Sequence, residues 1–105
     1  MKRGEVWWAN LPLPIGRRPV VLLSRDEAYT VRQLVMVAEV STRVRHIPAE
    51  VALGPGDGLP RAGAANLDSI TTIPKRSLQQ HIATLSAEKL EAINVALKFA
   101  LDLND

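Results

Sequence analysis

The sequence predicts a mainly β domain, a small barrel of short strands closed by one amphipathic helix at the C-terminal end. Three observations carry this. Short runs rich in β-branched and aromatic residues recur along the chain, separated by turn-forming residues and with no helical pattern between them. Gly54-Pro55-Gly56-Asp57-Gly58 is an unambiguous turn in the middle. Only the last stretch changes period, from two to the 3.6 of a helix.

Taken in order, strands are expected over residues 5–11, 18–24 and 34–41. Pro12, Pro14 and Gly16 make the first connection a loop. Residues 25–32 contain Asp26, Glu27 and Tyr29 and read as a polar turn. After Thr42 a basic loop, Arg43-Val44-Arg45-His46, leads to a short strand at 50–53. Three further short strands are expected at 64–67, 70–73 and 81–85. Ser86 is placed to cap a helix whose first turn holds Glu88 and whose apolar stripe is Leu90, Ile93, Leu97 and Leu101. Adjacent residues of a strand point to opposite faces, so Trp7 and Trp8 separate. Both can pack into the protein, or one can serve as an exposed stacking platform.

At 105 residues the chain makes a single domain, 1–105, with room for one core, so a binding site must be a surface groove or lie across a dimer. The absence of cysteine removes disulfides, thiolate metal sites and cysteine nucleophiles, and points to a reducing cytoplasm. The start of the chain reads as neither a signal peptide nor a membrane span. Net charge is only +2, but its distribution is uneven: residues 1–45 carry eight Lys/Arg against four acids, residues 46–105 five against seven. One end of the molecule is basic. Nine of the thirteen cations are arginine, the residue suited to bidentate phosphate contacts.

Arg18 precedes Pro19 at the mouth of an apolar strand, where proline fixes its own φ and drives its predecessor to extended geometry. It is therefore a positioned cation. Ser41 and Thr42 end the third strand, and in a small barrel the ends of neighbouring strands converge, so Arg18 and these hydroxyls are expected to share a pocket. Arg17 next to it and the basic-loop residues Arg43, Arg45 and His46 are candidates for contact with nucleic-acid phosphate. Two histidines without clustered carboxylates argue against a metal site, and no cofactor is expected.

Arg3-Gly4-Glu5-Val6-Trp7-Trp8, Arg17-Arg18-Pro19-Val20-Val21-Leu22-Leu23-Ser24, Val37-Ala38-Glu39-Val40-Ser41-Thr42, Ile47-Pro48-Ala49-Glu50-Val51 and Asn66-Leu67-Asp68-Ser69-Ile70 together resemble the MazF/PemK toxins, the ribonucleases of bacterial toxin-antitoxin pairs. The resemblance implies an SH3-like barrel of the MazF/CcdB type, a homodimer, an antitoxin whose acidic tail fills the RNA groove, and sequence-specific cleavage of single-stranded RNA by the ribose 2′-hydroxyl without a metal. Arg18 falls on the family's functional arginine, and Ser41 on the position of its threonine, with Thr42 adjacent. Asn10 and the compact loop Leu11-Pro12-Leu13-Pro14-Ile15-Gly16 depart from the family's acidic residue and longer first loop, so roles assigned there do not transfer. A guanidinium gives up its proton only at strongly alkaline pH, which leaves Arg18 an electrostatic role. His46 belongs to the side-chain type that titrates near neutrality, and either serves as acid or base or is a loop histidine without a task.

Two other readings compete. One is a gyrase poison like the CcdB toxins, which depend on a C-terminal Trp-Gly-Ile where this sequence has Leu103-Asn104-Asp105. The other is a non-catalytic RNA-binding module, kept open by serine at position 41.

Overall fold

The expected strands all fall on one sheet, the second running over 16–22 rather than 18–24 and two of the later ones fused. In the computed structural model, which describes residues 1–103, the elements are β1 (Glu5–Leu11), β2 (Gly16–Leu22), α1 (Ala28–Val31), β3 (Leu34–Ser41), β4 (Glu50–Leu53), β5 (Gly63–Pro74), β6 (Leu78–Thr84) and α2 (Ala87–Ala100). Asn104 and Asp105 lie outside the described residues. The sheet is antiparallel, in the order β4-β5-β3-β2-β1-β6, and curls into a half-barrel.

The pleat divides the apolar residues between two cores. Val6, Val21, Ala38, Val40, Val51, Leu53 and Leu67 face one side, where Ile93 and Ala96 of α2 cover them. Ala9, Leu11, Val20, Leu22, Val35, Val37, Ile73 and Leu78 face the other, closed by Tyr29 of α1. Strand residues one apart thus alternate between the two cores. Helix α2 begins as expected, with the Ser86 hydroxyl accepting from the Lys89 backbone N–H at 3.1 Å.

Three details differ from the sequence expectation. Within 25–32, residues 28–31 form a helical turn, because Ala28 and Tyr29 are both buried there and the Tyr29 hydroxyl donates to the Ser24 carbonyl at 3.1 Å. The strands expected at 64–67 and 70–73 are one long strand: between the pairs Ala38↔Ile70 and Val40↔Ala65, β3 advances two residues and β5 five, so the extra residues, with Asp68 and Ser69 exposed among them, bulge out of β5 without ending it. Likewise β6 starts at Leu78 rather than at 81, since Leu78 is buried and pairs with Ala9. No helix among the described residues is long and apolar enough to cross a membrane.

Candidate RNA-cleaving site

Between β2 and β3 the sheet opens. β2 pairs with β1 along its whole length, from Leu11↔Gly16 to Val6↔Val21. Against β3 its ladder runs only from Leu22↔Val37 to Val20↔Glu39, and the next residue of β2, Pro19, has no N–H to continue it. Beyond that point the strands part. A cleft of about 460 Å³ fills the gap, lined by Trp8, Arg17, Arg18 and Pro19 on one side and by Val40, Ser41, Thr42 and residues 59–63 on the other.

Continuing the Val20↔Glu39 register past the break puts Arg18 across from Ser41 and Arg17 across from Thr42. The pleat then sends the two arginines to opposite faces. Arg17 lies on the face of Trp8: its guanidinium carbon is 4.2 Å from the centre of the indole ring, and its Nε donates to Gln79 Oε1 at 3.3 Å. Arg18 lies on the face of Glu39, with Nη1 3.7 Å from Glu39 Oε1. Each arginine is thus held by a different neighbour.

The hydroxyl of Ser41 accepts the Arg43 backbone N–H at 3.1 Å, which fixes Oγ and leaves its own proton to donate. Thr42 stands beside it, exposed. The far wall comes so close that a Cβ on Gly63 would meet the Ser41 carbonyl oxygen at 2.5 Å, so only glycine fits.

The structure brings Arg17, Arg18, Ser41 and Thr42 to one cleft and leaves Arg43, Arg45 and His46 outside its lining. Those three are exposed on the loop that follows Thr42. A nearly buried carboxylate holds that loop: Glu50 Oε1 accepts the backbone N–H groups of Arg45 at 2.8 Å and of His46 at 3.0 Å, and His46 takes a left-handed φ of 56°. The loop is held mainly through its backbone, and the Arg45 guanidinium adds an ion pair 4.0 Å from the same Glu50 carboxylate. Among the described residues, no group of three or more side chains is placed to hold a metal ion.

Trp7 packs against the second core, donates Nε1 to Glu5 Oε1 at 2.9 Å and lies 5.7 Å from the His81 ring. Trp8 is the one that reaches the cleft. One lining cation escaped the sequence reading: Arg61 stands in the far wall, between Pro60 and Ala62 in the long connection from β4 to β5. Glu39 flanks the cleft through Arg18 without lining it, a place the sequence does show, since a residue two before Ser41 on a strand shares its face.

The sequence matches, over residues 2–101, the family described as PemK-like, MazF-like toxin of type II toxin-antitoxin system. The chain belongs to this family. A probable endoribonuclease MazF5 of Mycobacterium tuberculosis is 43% identical over 101 residues, covering 95% of this chain and 92% of that protein. Among solved structures, an endoribonuclease in complex with its cognate antitoxin from a mycobacterial species superimposes with a TM-score of 0.88 at 30% identity, covering 100% of this chain and 98% of that one. The Mycobacterium tuberculosis toxin MazF-mt6 superimposes with the same TM-score and identity, over 96% of this chain and 99% of that one. Membership in the PemK/MazF toxins sets aside the gyrase-poison alternative. The expected barrel and helix are those of the family.

Proposed function

We propose that this MazF-family toxin cleaves single-stranded RNA in the cleft between β2 and β3, with the ribose 2′-hydroxyl attacking the adjacent phosphorus and the 5′-oxygen leaving. The observation that carries the reading is the position of Arg18 across the parted strands from Ser41. A planar guanidinium and a fixed hydroxyl then aim donors at one point from two strands. The reaction develops negative charge on a phosphorane, and one preorganised donor at such a centre is worth about 3 to 4 kcal/mol of barrier. The nucleophile belongs to the substrate, so the mechanism asks for no metal and no cofactor.

Arg18 and Ser41 take the transition-state roles, with Thr42 as the neighbouring hydroxyl. Arg17 on Trp8 forms a cationic and aromatic surface suited to a phosphate and an unstacked base. Arg43, Arg45 and His46 line the approach along which phosphate is attracted. The whole chain acts as one domain.

The protein works in the cytoplasm as a homodimer held in check by a MazE-like antitoxin. Edge strands β4 and β6, each paired on one side only, and the exposed Leu34, Met36 and Phe99 favour a partner copy. A solved relative is bound to its cognate antitoxin.

The test is incubation of the purified protein with a long RNA in EDTA. Cleavage is expected to persist, to stop when the nucleotide 5′ of the scissile phosphate is 2′-deoxy, and to leave a 2′,3′-cyclic phosphate or 3′-phosphate opposite a 5′-hydroxyl. A 5′-phosphate product, or binding without cleavage as in a non-catalytic RNA-binding module, would refute it.

A further inference from the structure

An arginine and a serine stabilise charge, but neither removes the proton from the attacking 2′-hydroxyl, and the cleft lining holds no carboxylate or histidine. Next to the lining, against Arg18, stands one ionisable group that can accept a proton. Glu39 is two residues before Ser41 on β3, so its side chain rises on the same face. It is only partly exposed, at 23% for the side chain, whereas the Arg18 beside it is 39% exposed.

We infer that Glu39 is the general base of the cleavage reaction, a catalytic residue for RNA on the same site, an inference that rests on the nuclease reading above. The geometry supports it in three ways. First, the Arg18 Nη1 to Glu39 Oε1 separation of 3.7 Å is too long for a hydrogen bond. Arg18 thus stands beside the carboxylate while leaving its lone pairs open. No described residue donates a hydrogen bond to Glu39, and a carboxylate with free lone pairs beside a guanidinium is equipped to receive a proton.

Second, two residues along a strand span roughly 7 Å. That leaves room for a phosphoryl centre between the Glu39 carboxylate and the Ser41 hydroxyl, with Arg18 opposite them both. The 2′-oxygen can then face Glu39 while the non-bridging oxygens face Arg18 and Ser41. Third, the charged surroundings of Glu39 are simple. Arg18 faces it from β2. The hollow on its other side is lined by Asn10, Leu11 and the first loop from β1, and by Thr71, Thr72 and Ile73 of β5, none of them charged.

The step balances without a co-reactant. Glu39 takes the 2′-hydroxyl proton, the 2′-oxygen forms its bond to phosphorus, and the phosphorus–O5′ bond breaks with its electron pair going to O5′. O5′ takes a proton from water, and Glu39 returns its own to solvent.

The experiment is single-turnover cleavage of a short RNA across a range of pH by wild type, Glu39→Gln and Glu39→Ala, together with binding of a 2′-O-methyl RNA that cannot react. Glu39→Gln is expected to lose ~100-fold or more in rate, to bind the unreactive RNA within about twofold of wild type, and to lose the acid limb of the pH profile, on which the wild-type rate rises as the carboxylate ionises. Added acetate or formate should restore part of the Glu39→Ala rate. A Glu39→Gln rate within about threefold of wild type would overturn the inference. So would a fall that keeps the wild-type pH profile and resists carboxylate rescue, since Glu39 would then only hold Arg18. If the wild type itself fails to cut RNA, the nuclease reading falls and takes this inference with it; if the wild type cuts, only Glu39 is in question.

Discussion

The guanidinium of Arg17 sits over Trp8, its central carbon 4.2 Å from the indole centre. A cation over an aromatic face at a partly exposed site contributes about 0.5 to 1 kcal/mol. Together the two side chains make one continuous surface at the cleft floor. Trp8→Ala is expected to weaken binding of an unreactive 2′-O-methyl RNA by about 1 to 3 kcal/mol, the worth of one base stacked on an aromatic ring. The double variant Arg17→Ala, Trp8→Ala should lose less than the two singles combined, which anisotropy titrations will measure. Strict additivity would show that the two bind RNA independently.

Gly63 constrains the site from the other side. A methyl group there meets the Ser41 carbonyl oxygen at 2.5 Å and the carbonyl carbon at 3.1 Å, both backbone atoms that no rotamer change can move. Gly63→Ala is therefore expected to destabilise the fold by about 1 to 3 kcal/mol, and to slow cleavage although no proposed functional group has been removed. Thermal unfolding and single-turnover rates check this. Unchanged values for both would mean that β3 and β5 can separate without cost.

Tyr29 predicts a loss of stability in alkali. Burial pushes its hydroxyl up to about 12, against an ordinary 10, although the Ser24 contact pulls the other way. The folded state then holds its proton where the unfolded chain has released it. The contribution is complete below about pH 10 and disappears as pH rises through 12, at a size on the order of 2 kcal/mol. Tyr29→Phe removes this dependence and also the 3.1 Å bond to the Ser24 carbonyl, which costs about 1 kcal/mol at neutral pH. In urea melts from pH 8 to 12 wild type should start the more stable, meet Tyr29→Phe between pH 10 and 12, and fall below it at the alkaline end.

The strands and the closing helix were legible because their signals are local: β-branched runs, turn residues and a helical period all act over a few neighbours. The cleft was half legible. Arg18 and Ser41 could be paired by reasoning about converging strand ends, and the Trp7–Trp8 alternation by the pleat alone. Arg61 and Gly63 could not, because their relation to Ser41 depends on how β5 returns past β3, a contact between residues more than twenty apart in sequence. The break at 68–69 was misjudged for a related reason. Asp68 and Ser69 look like a turn in isolation, but they are part of a bulge in β5 itself, whose pairing with β3 resumes on either side.

Glu50 holds the basic loop after Thr42 chiefly through the backbone N–H groups of Arg45 and His46, and the half-exposed Arg45 ion pair at 4.0 Å adds little. Arg43→Ala and Arg45→Ala are thus expected to leave the fold and the saturated cleavage rate nearly unchanged. Each should weaken RNA binding and lower its salt dependence by roughly one phosphate contact. Turnover that collapses while binding holds would instead place these arginines in the reaction.

Arg17 and Arg18 are chemically identical neighbours that the pleat sends to different tasks, one to Trp8 and one to the face of Glu39 and Ser41. Arg18→Ala should lower the single-turnover rate by ~100-fold or more, the cost of one aimed transition-state donor, with the dimer intact. Arg18→Lys should stay strongly impaired, because an ammonium keeps the charge but loses the planar fork that can serve a phosphate and remain near Glu39 together. Arg17→Ala should act mainly on binding, with the rate on saturating RNA close to wild type. Rates at saturating RNA for the three variants separate these roles, and a larger catalytic loss at Arg17 than at Arg18 would move the reaction to the Trp8 face of the sheet.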